Sequence, residues 1–168
     1  MKKFELEALG MRSNDTGYDG GFSLTVRGIV GEVINGSVLH LFSGSSKIGD
    51  VRVDVSHPNA TNNIAIEDFI VSDNRDWDWV VLDPPYKLVN NGSAAPHYDI
   101  PVSVSTNVPF RRKLEEYLRN HTDNVLWLDI CAPLPKGFSR QKVWFLFPGG
   151  YRPLRVLSWL KREIKPML

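Results

Sequence analysis

From Phe22 to Ile34 the sequence FSLTVRGIVGEVI carries apolar residues at 22, 26, 29, 30, 33 and 34. That three-to-four-residue spacing predicts an amphipathic helix. Gly28 and Gly31 weaken it, and Asn35-Gly36 supplies the stop. The pattern then shortens. VLHLF (Val38–Phe42) and VRVDV (Val51–Val55) predict strands, Ile64–Ile66 a third, and the start of WVVLDPPYKL (Trp79–Leu82) a fourth. Trp79–Leu82 shows no apolar–polar alternation, so it reads as a strand buried on both faces. Residues 87–108 are polar and Pro-bearing, and so long a connection in a small domain predicts a substrate loop. Phe110, Leu114, Tyr117 and Leu118 mark a further helix face, with Pro109 near its start. Val125–Cys131, Val143–Phe147 and Leu154–Leu160 predict the remaining strands. Strands alternating with helices, closed by a final pair of strands, indicate an α/β fold with a mostly parallel sheet.

Composition narrows the class. The 168 residues fit one domain, and 42% hydrophobic with 23% charged residues is an ordinary globular balance. No apolar run approaches the ~20 residues of a membrane span. The start, MKKFELEALG, lacks the apolar core of a secretory signal, so a cytoplasmic location is expected. The single cysteine, Cys131, excludes an internal disulfide and is expected to be a buried thiol. Neither H-E-x-x-H, paired His/Cys spacing nor a P-loop occurs, so no metal and no nucleoside-triphosphate site is expected. The net charge of +1 hides an asymmetry. Residues 1–110 hold 8 Lys/Arg against 14 Asp/Glu, a net of −6, whereas residues 111–168 hold 12 against 5, a net of +7. Such a distribution suits either a basic face for a polyanion or a solvated helix face.

The stretch with most chemical content is Asp83-Pro84-Pro85-Tyr86. A buried strand ends in two residues that fix their own φ and donate no backbone hydrogen bond. The elbow therefore presents a carboxylate, backbone carbonyls and a phenol ring with no competing N–H. An exocyclic base amine is a poor nucleophile because its lone pair is delocalised into the ring. A rigid acceptor on its N–H favours the charge that develops as it attacks, and an aromatic ring can stack on a base drawn out of its helix.

VLHLFSGSS, then VRVDV, then WVVLDPPY together resemble the class I S-adenosylmethionine-dependent methyltransferases. More narrowly they resemble the DPPY-type amino-methyltransferases that modify N6 of adenine or N4 of cytosine. The likeness runs from about Val38 to Arg162. It implies a single Rossmann-like domain with a seven-stranded, mostly parallel sheet, an antiparallel last strand and helices on both faces. Residues 1–37 would form an N-terminal helical extension. It implies that S-adenosylmethionine is held by Phe42, Ser43, Gly44 and Ser45, with Asp54 on the ribose and Asp68 and Phe69 at the adenine. The family pattern has two glycines where this chain has Ser43-Gly44-Ser45-Ser46, and SGSSKIGD is too short for a regular crossover helix. Asp83, Pro84, Pro85 and Tyr86 would be catalytic. Lys87, His97, Tyr98, Arg111, Arg140 and Arg152 are the candidate substrate contacts, and Arg112, Lys142 and Arg155 are further candidate phosphate contacts. The implied partner is nucleic acid, DNA in preference to RNA, with a homodimer or partner subunit left open. RNA methylation at adenine N6 or guanine N2, and an idle cofactor-binding scaffold, are the competing readings.

Overall fold

The computed structural model describes residues 3–13, 21–85, 104 and 107–163. Its elements are β1 (Glu5–Gly10), α1 (Leu24–Val33), β2 (Val38–Leu41), β3 (Val51–Asp54), β4 (Asn62–Asn63), α2 (Ile66–Ser72), β5 (Trp77–Leu82), α3 (Val108–His121), β6 (Thr122–Asp129), β7 (Phe138–Phe147) and β8 (Arg155–Arg162). They form an α/β fold around one mixed, eight-stranded sheet of order β1-β7-β8-β6-β5-β2-β3-β4. All pairs are parallel except those of β8, which runs antiparallel to both β6 and β7.

The sheet corrects the expected count of seven strands. β1 supplies an extra one, pairing with β7 from Glu5↔Lys142 to Gly10↔Phe147. The N-terminal region is therefore a strand followed by a helix, not a helical extension. The strand expected at Ile64–Ile66 is also displaced. Pairing falls on Asn62–Asn63, and Ile66 opens α2. Ile66, Phe69 and Ile70 are buried at i, i+3 and i+4, which is helix spacing. Among the described residues only three helices serve the eight strands.

Alternation along each strand sorts the core into two layers. Val80 and Leu82 of β5 join Leu39, Leu41, Val125 and Trp127 under α2 and α3. Trp79 and Val81 point the other way, with Val38, Leu126 and Leu128, beneath Val26, Ile29 and Val30 of α1. Helix α1 starts at Ser23, whose Oγ accepts from Val26 N at 3.2 Å. Helix α3 starts at Asn107, whose side chain accepts from Phe110 N at 3.1 Å. Its buried face is the predicted Phe110, Leu114, Tyr117 and Leu118.

Beyond α1, Gly36 has φ +76°, and a Cβ there would lie 2.2 Å from Asp78 Oδ2. That oxygen accepts from Ser37 N at 2.7 Å and Ser37 Oγ at 2.9 Å, fastening the α1–β2 turn to β5. Gly36→Ala should therefore lower stability by at least about 1–2 kcal/mol from the left-handed backbone alone. Chemical denaturation would measure it, and an unchanged midpoint would mean that the turn is not held in this form.

The β2–β3 connection has no helix. Residues 42–50 double back along β2: Asp50 N donates to Val38 O at 2.9 Å, and Asp50 Oδ2 accepts from Val38 N at 2.8 Å. Ile48 packs on the α1-side core, and its carbonyl meets His40 Nδ1 at 3.2 Å. An extended return takes the place of the crossover helix, which is how so short a linker joins two neighbouring parallel strands.

Candidate active site at the carboxyl edge of the sheet

The parallel strands all end on one edge, and the reversed β8 begins there. Strand order turns around between β2 and β5. From β2 the chain moves outward to β3 and β4, and from β5 it moves the opposite way to β6. In open α/β sheets ligands bind outside the carboxyl ends at such a reversal. The loop after β2 and the Asp83 elbow after β5 leave the sheet side by side there, because β2 and β5 pair up to Leu41↔Leu82.

The β2 loop is tightly formed. Phe42 has φ +60°, unusual for a bulky residue. Its ring meets Phe110 of α3 edge-on, 6.4 Å between centroids. Ser43 N donates to Val53 O at 3.1 Å, and Ser46 N to Ser43 O at 2.9 Å. Ser43 is buried, and its Oγ has no hydrogen-bond partner. Asp54 closes the loop from the end of β3. Its Oδ2 accepts from Gly44 N at 3.0 Å, and its Oδ1 from Ser56 N at 3.1 Å and His57 N at 3.0 Å. A carboxylate has about four acceptor positions, so Asp54 retains roughly one for a ligand hydroxyl. The residues thus fit the ribose end of S-adenosylmethionine in part: Ser43 Oγ is an uncommitted group at the loop, whereas Asp54 is largely engaged by the backbone.

At the end of the neighbouring β5, Asp83 is partly buried and Pro84 is buried. Burial pushes the Asp83 carboxyl up to about 7, Arg155 opposes the rise and Asp129 adds to it. The register explains the grouping. Leu82 stands opposite Trp127, two residues before Asp129, and Asp129 stands opposite Val156, one residue after Arg155. Three ionisable residues from three adjacent strands thereby reach the same edge of the sheet. Asp129 is buried and pushed up by that burial, although its Oδ1 accepts from Ile130 N at 2.7 Å. Cys131 follows it and is exposed, not the buried thiol expected; partial cover of the sulfur and the Asp129 charge push its thiol up.

Other expected site residues fall elsewhere. Phe69 is in the core under α2 and α3, while Asp68 is exposed in the first turn of α2. Arg111 opens α3 on the carboxyl side and lies 3.9 Å from Glu115. Arg152 is exposed in the β7–β8 turn at the same edge. Arg140 is not with them. It pairs with Leu160, itself opposite Val125, roughly 13 Å along the strands from Asp129. Its guanidinium donates to Ala132 O at 2.6 Å. Tyr86, Lys87, His97 and Tyr98, with most of the 87–108 loop, lie outside the described residues.

Folding sets two of the twelve cations of the basic half on acids of the other half. Lys142 pairs with Glu7 at 2.7 Å and Glu5 at 3.4 Å, and Lys113 with Glu67 at 2.6 Å. Asp129 was missed as a site residue. A faint signal existed for it: LWLD closes β6 as VVLD closes β5. Arg155 was expected only as a phosphate contact, because its place at the edge near Asp83 follows from the β8 register alone. No protein-family model and no curated protein matches the chain.

Proposed function

We propose that the protein is an S-adenosylmethionine-dependent methyltransferase acting on an exocyclic base amine, N6 of adenine in DNA before the RNA alternatives. The observation that carries this reading is the Asp83-Pro84-Pro85 elbow, a partly buried carboxylate that follows β5 next to the Ser43–Gly44 loop at a strand-order reversal. The single reversed strand β8, set between β6 and β7, also agrees with the antiparallel last strand that the resemblance implies. The cofactor would be held by the Phe42–Ser45 loop and the remaining acceptor of Asp54. When bound it supplies an electrophilic methyl group on sulfonium, whose C–S electron pair stays on sulfur as the N–C bond forms. Asp83 accepts the hydrogen bond of the target N–H and stabilises the positive charge on nitrogen; the proton then leaves to Asp83 or solvent.

Titration calorimetry with S-adenosylmethionine and its demethylated product is the first test. Binding is expected, and Asp54→Ala should weaken it by about 1–3 kcal/mol, by losing an acceptor and the backbone bonds that shape the loop. Absence of binding by the wild-type protein would end the proposal. The engagement of Asp54 by three backbone N–H groups favours one competitor, a scaffold subunit that does not turn over. Labelled S-adenosylmethionine with a panel of DNA and RNA, followed by nucleoside analysis, separates the two: methylated base appears only with an enzyme.

A further inference from the structure

Asp83 follows β5 and Asp129 ends β6, two neighbouring parallel strands in which Leu82 stands opposite Trp127, and the Asp129 charge raises the Asp83 carboxyl. Two partly desolvated carboxylates on one edge repel, and one of them tends to keep a proton. A protonated Asp83 could no longer serve as a pure acceptor for an amine N–H. Arg155 enters the same edge because β8 runs backward, which places its first residue beside the last residues of β6. It is a half-buried side chain whose charge burial disfavours and Asp83 favours, so the influence between the two is mutual. Among the described residues, the charged and titratable groups acting on this acid pair are Arg155 from β8 and, next to Asp129, Cys131.

We propose that Arg155 is a positioning residue: it is the electrostatic partner of Asp83 across the carboxyl edge and holds that carboxylate available to the target amine against the charge of Asp129. Arg155 touches neither substrate nor cofactor in this scheme and acts through Asp83 alone. The proposal rests on the methyltransferase reading for its consequence in catalysis, but not for the coupling itself. Guanidinium suits the role because it stays charged through any working pH, whereas a titrating partner would release Asp83 as it lost its own charge.

The test is a pair of titrations on the full chain. The Asp83 carboxyl is followed by NMR on protein carrying 13C-labelled aspartate, with Asp83→Asn to assign the signal. Methyl transfer is measured over the same pH range. In the wild type both should rise through about pH 7. Arg155→Gln should move the NMR midpoint up by about one pH unit or more. The ascending limb of activity should follow, so that a loss of about tenfold at pH 7 is recovered at higher pH. Arg155→Lys should stay near the wild type, and Asp129→Asn should move the midpoint down. A midpoint unmoved in a folded Arg155→Gln protein overturns the proposal, as does an activity loss equal at every pH, which is the mark of a merely structural role. Should Arg155→Gln not fold, Asp129→Asn and Arg155→Lys decide: an unmoved midpoint in the first, or a midpoint raised by about one pH unit in the second despite its retained charge, overturns it. A wild-type protein inactive on every nucleic acid would instead remove the functional reading, while the NMR shifts would still establish or refute the coupling.

Discussion

Asp83→Asn should lower methyl transfer by about 10²-fold or more, the scale of removing one preorganised polar group from a reacting centre. Asparagine keeps the size of the side chain but puts an NH₂ donor where one acceptor oxygen stood, and an amide cannot take up the amine proton. The loss should fall on the chemical step. Cofactor affinity should change little, because the implied contacts at Phe42–Ser45 and Asp54 lie on the β2 loop and β3 and not on the Asp83 elbow after β5. Single-turnover rates with labelled cofactor, alongside calorimetry and a thermal melt, separate these quantities. Full activity of the variant on every substrate would reduce Asp83-Pro84-Pro85 to a turn that ends a strand.

The second large effect concerns stability and pH. His40 is fully buried in β2, its ring stacked on Phe22 with 5.0 Å between centroids. Its Nδ1–H is positioned to donate to the Ile48 carbonyl, while Nε2 has no partner. Burial holds its pKa down, from 6.5 to about 4, with the Ile48 carbonyl opposing and Arg52 assisting. Protonation would place a second N–H in the core with nothing to accept it. The folded state therefore binds this proton less readily than the unfolded chain. The contribution is complete above about pH 6.5 and is lost as the pH falls toward 4, to a total of about 3 kcal/mol. Asp83 works with the opposite sign. Its folded pKa, about 7, lies above the ordinary 3.8, so acid stabilises the folded form through that group. The two offset each other in the wild type, and the partial exposure of Asp83 reduces its share. The difference between wild type and His40→Asn is thus the informative quantity. Its sign follows from the titration: wild type should lose about 3 kcal/mol relative to the variant between pH 7 and pH 4. Denaturant midpoints across that range would show it, and a constant difference would mean that the buried imidazole does not titrate with folding.

Local pattern made some of this molecule readable. Helix α3 was legible because Phe110, Leu114, Tyr117 and Leu118 keep helix spacing over more than two turns, and β5 because an unbroken apolar run ends just before two prolines. Asp83 was legible for the same reason, since it sits between that run and the prolines. β1 was not. ELEALG carries good helix formers, and it becomes a strand only through pairing with β7, where Lys142 neutralises Glu5 and Glu7. Helix α2 was hidden by its brevity, although Ile66, Phe69 and Ile70 held the correct spacing. The residues around Asp83 were the hardest to see. Their charges meet through strand register over long sequence separations, and no local rule reports that.

The reversed strand has a consequence for how the chain comes together. In the sheet, β7 and β1 connect to the other strands only through β8. Yet β8 is the last of these strands to leave a ribosome, while β1 is the first. β1 must therefore wait for a partner more than a hundred residues downstream, and the β1–β7 ribbon has no place beside β6 until β8 fills the gap. At about 5–20 residues per second, synthesis leaves that first strand unpaired for several seconds. Sheet closure therefore waits for β8, whose insertion between β6 and β7 also delivers Arg155 to the carboxyl edge.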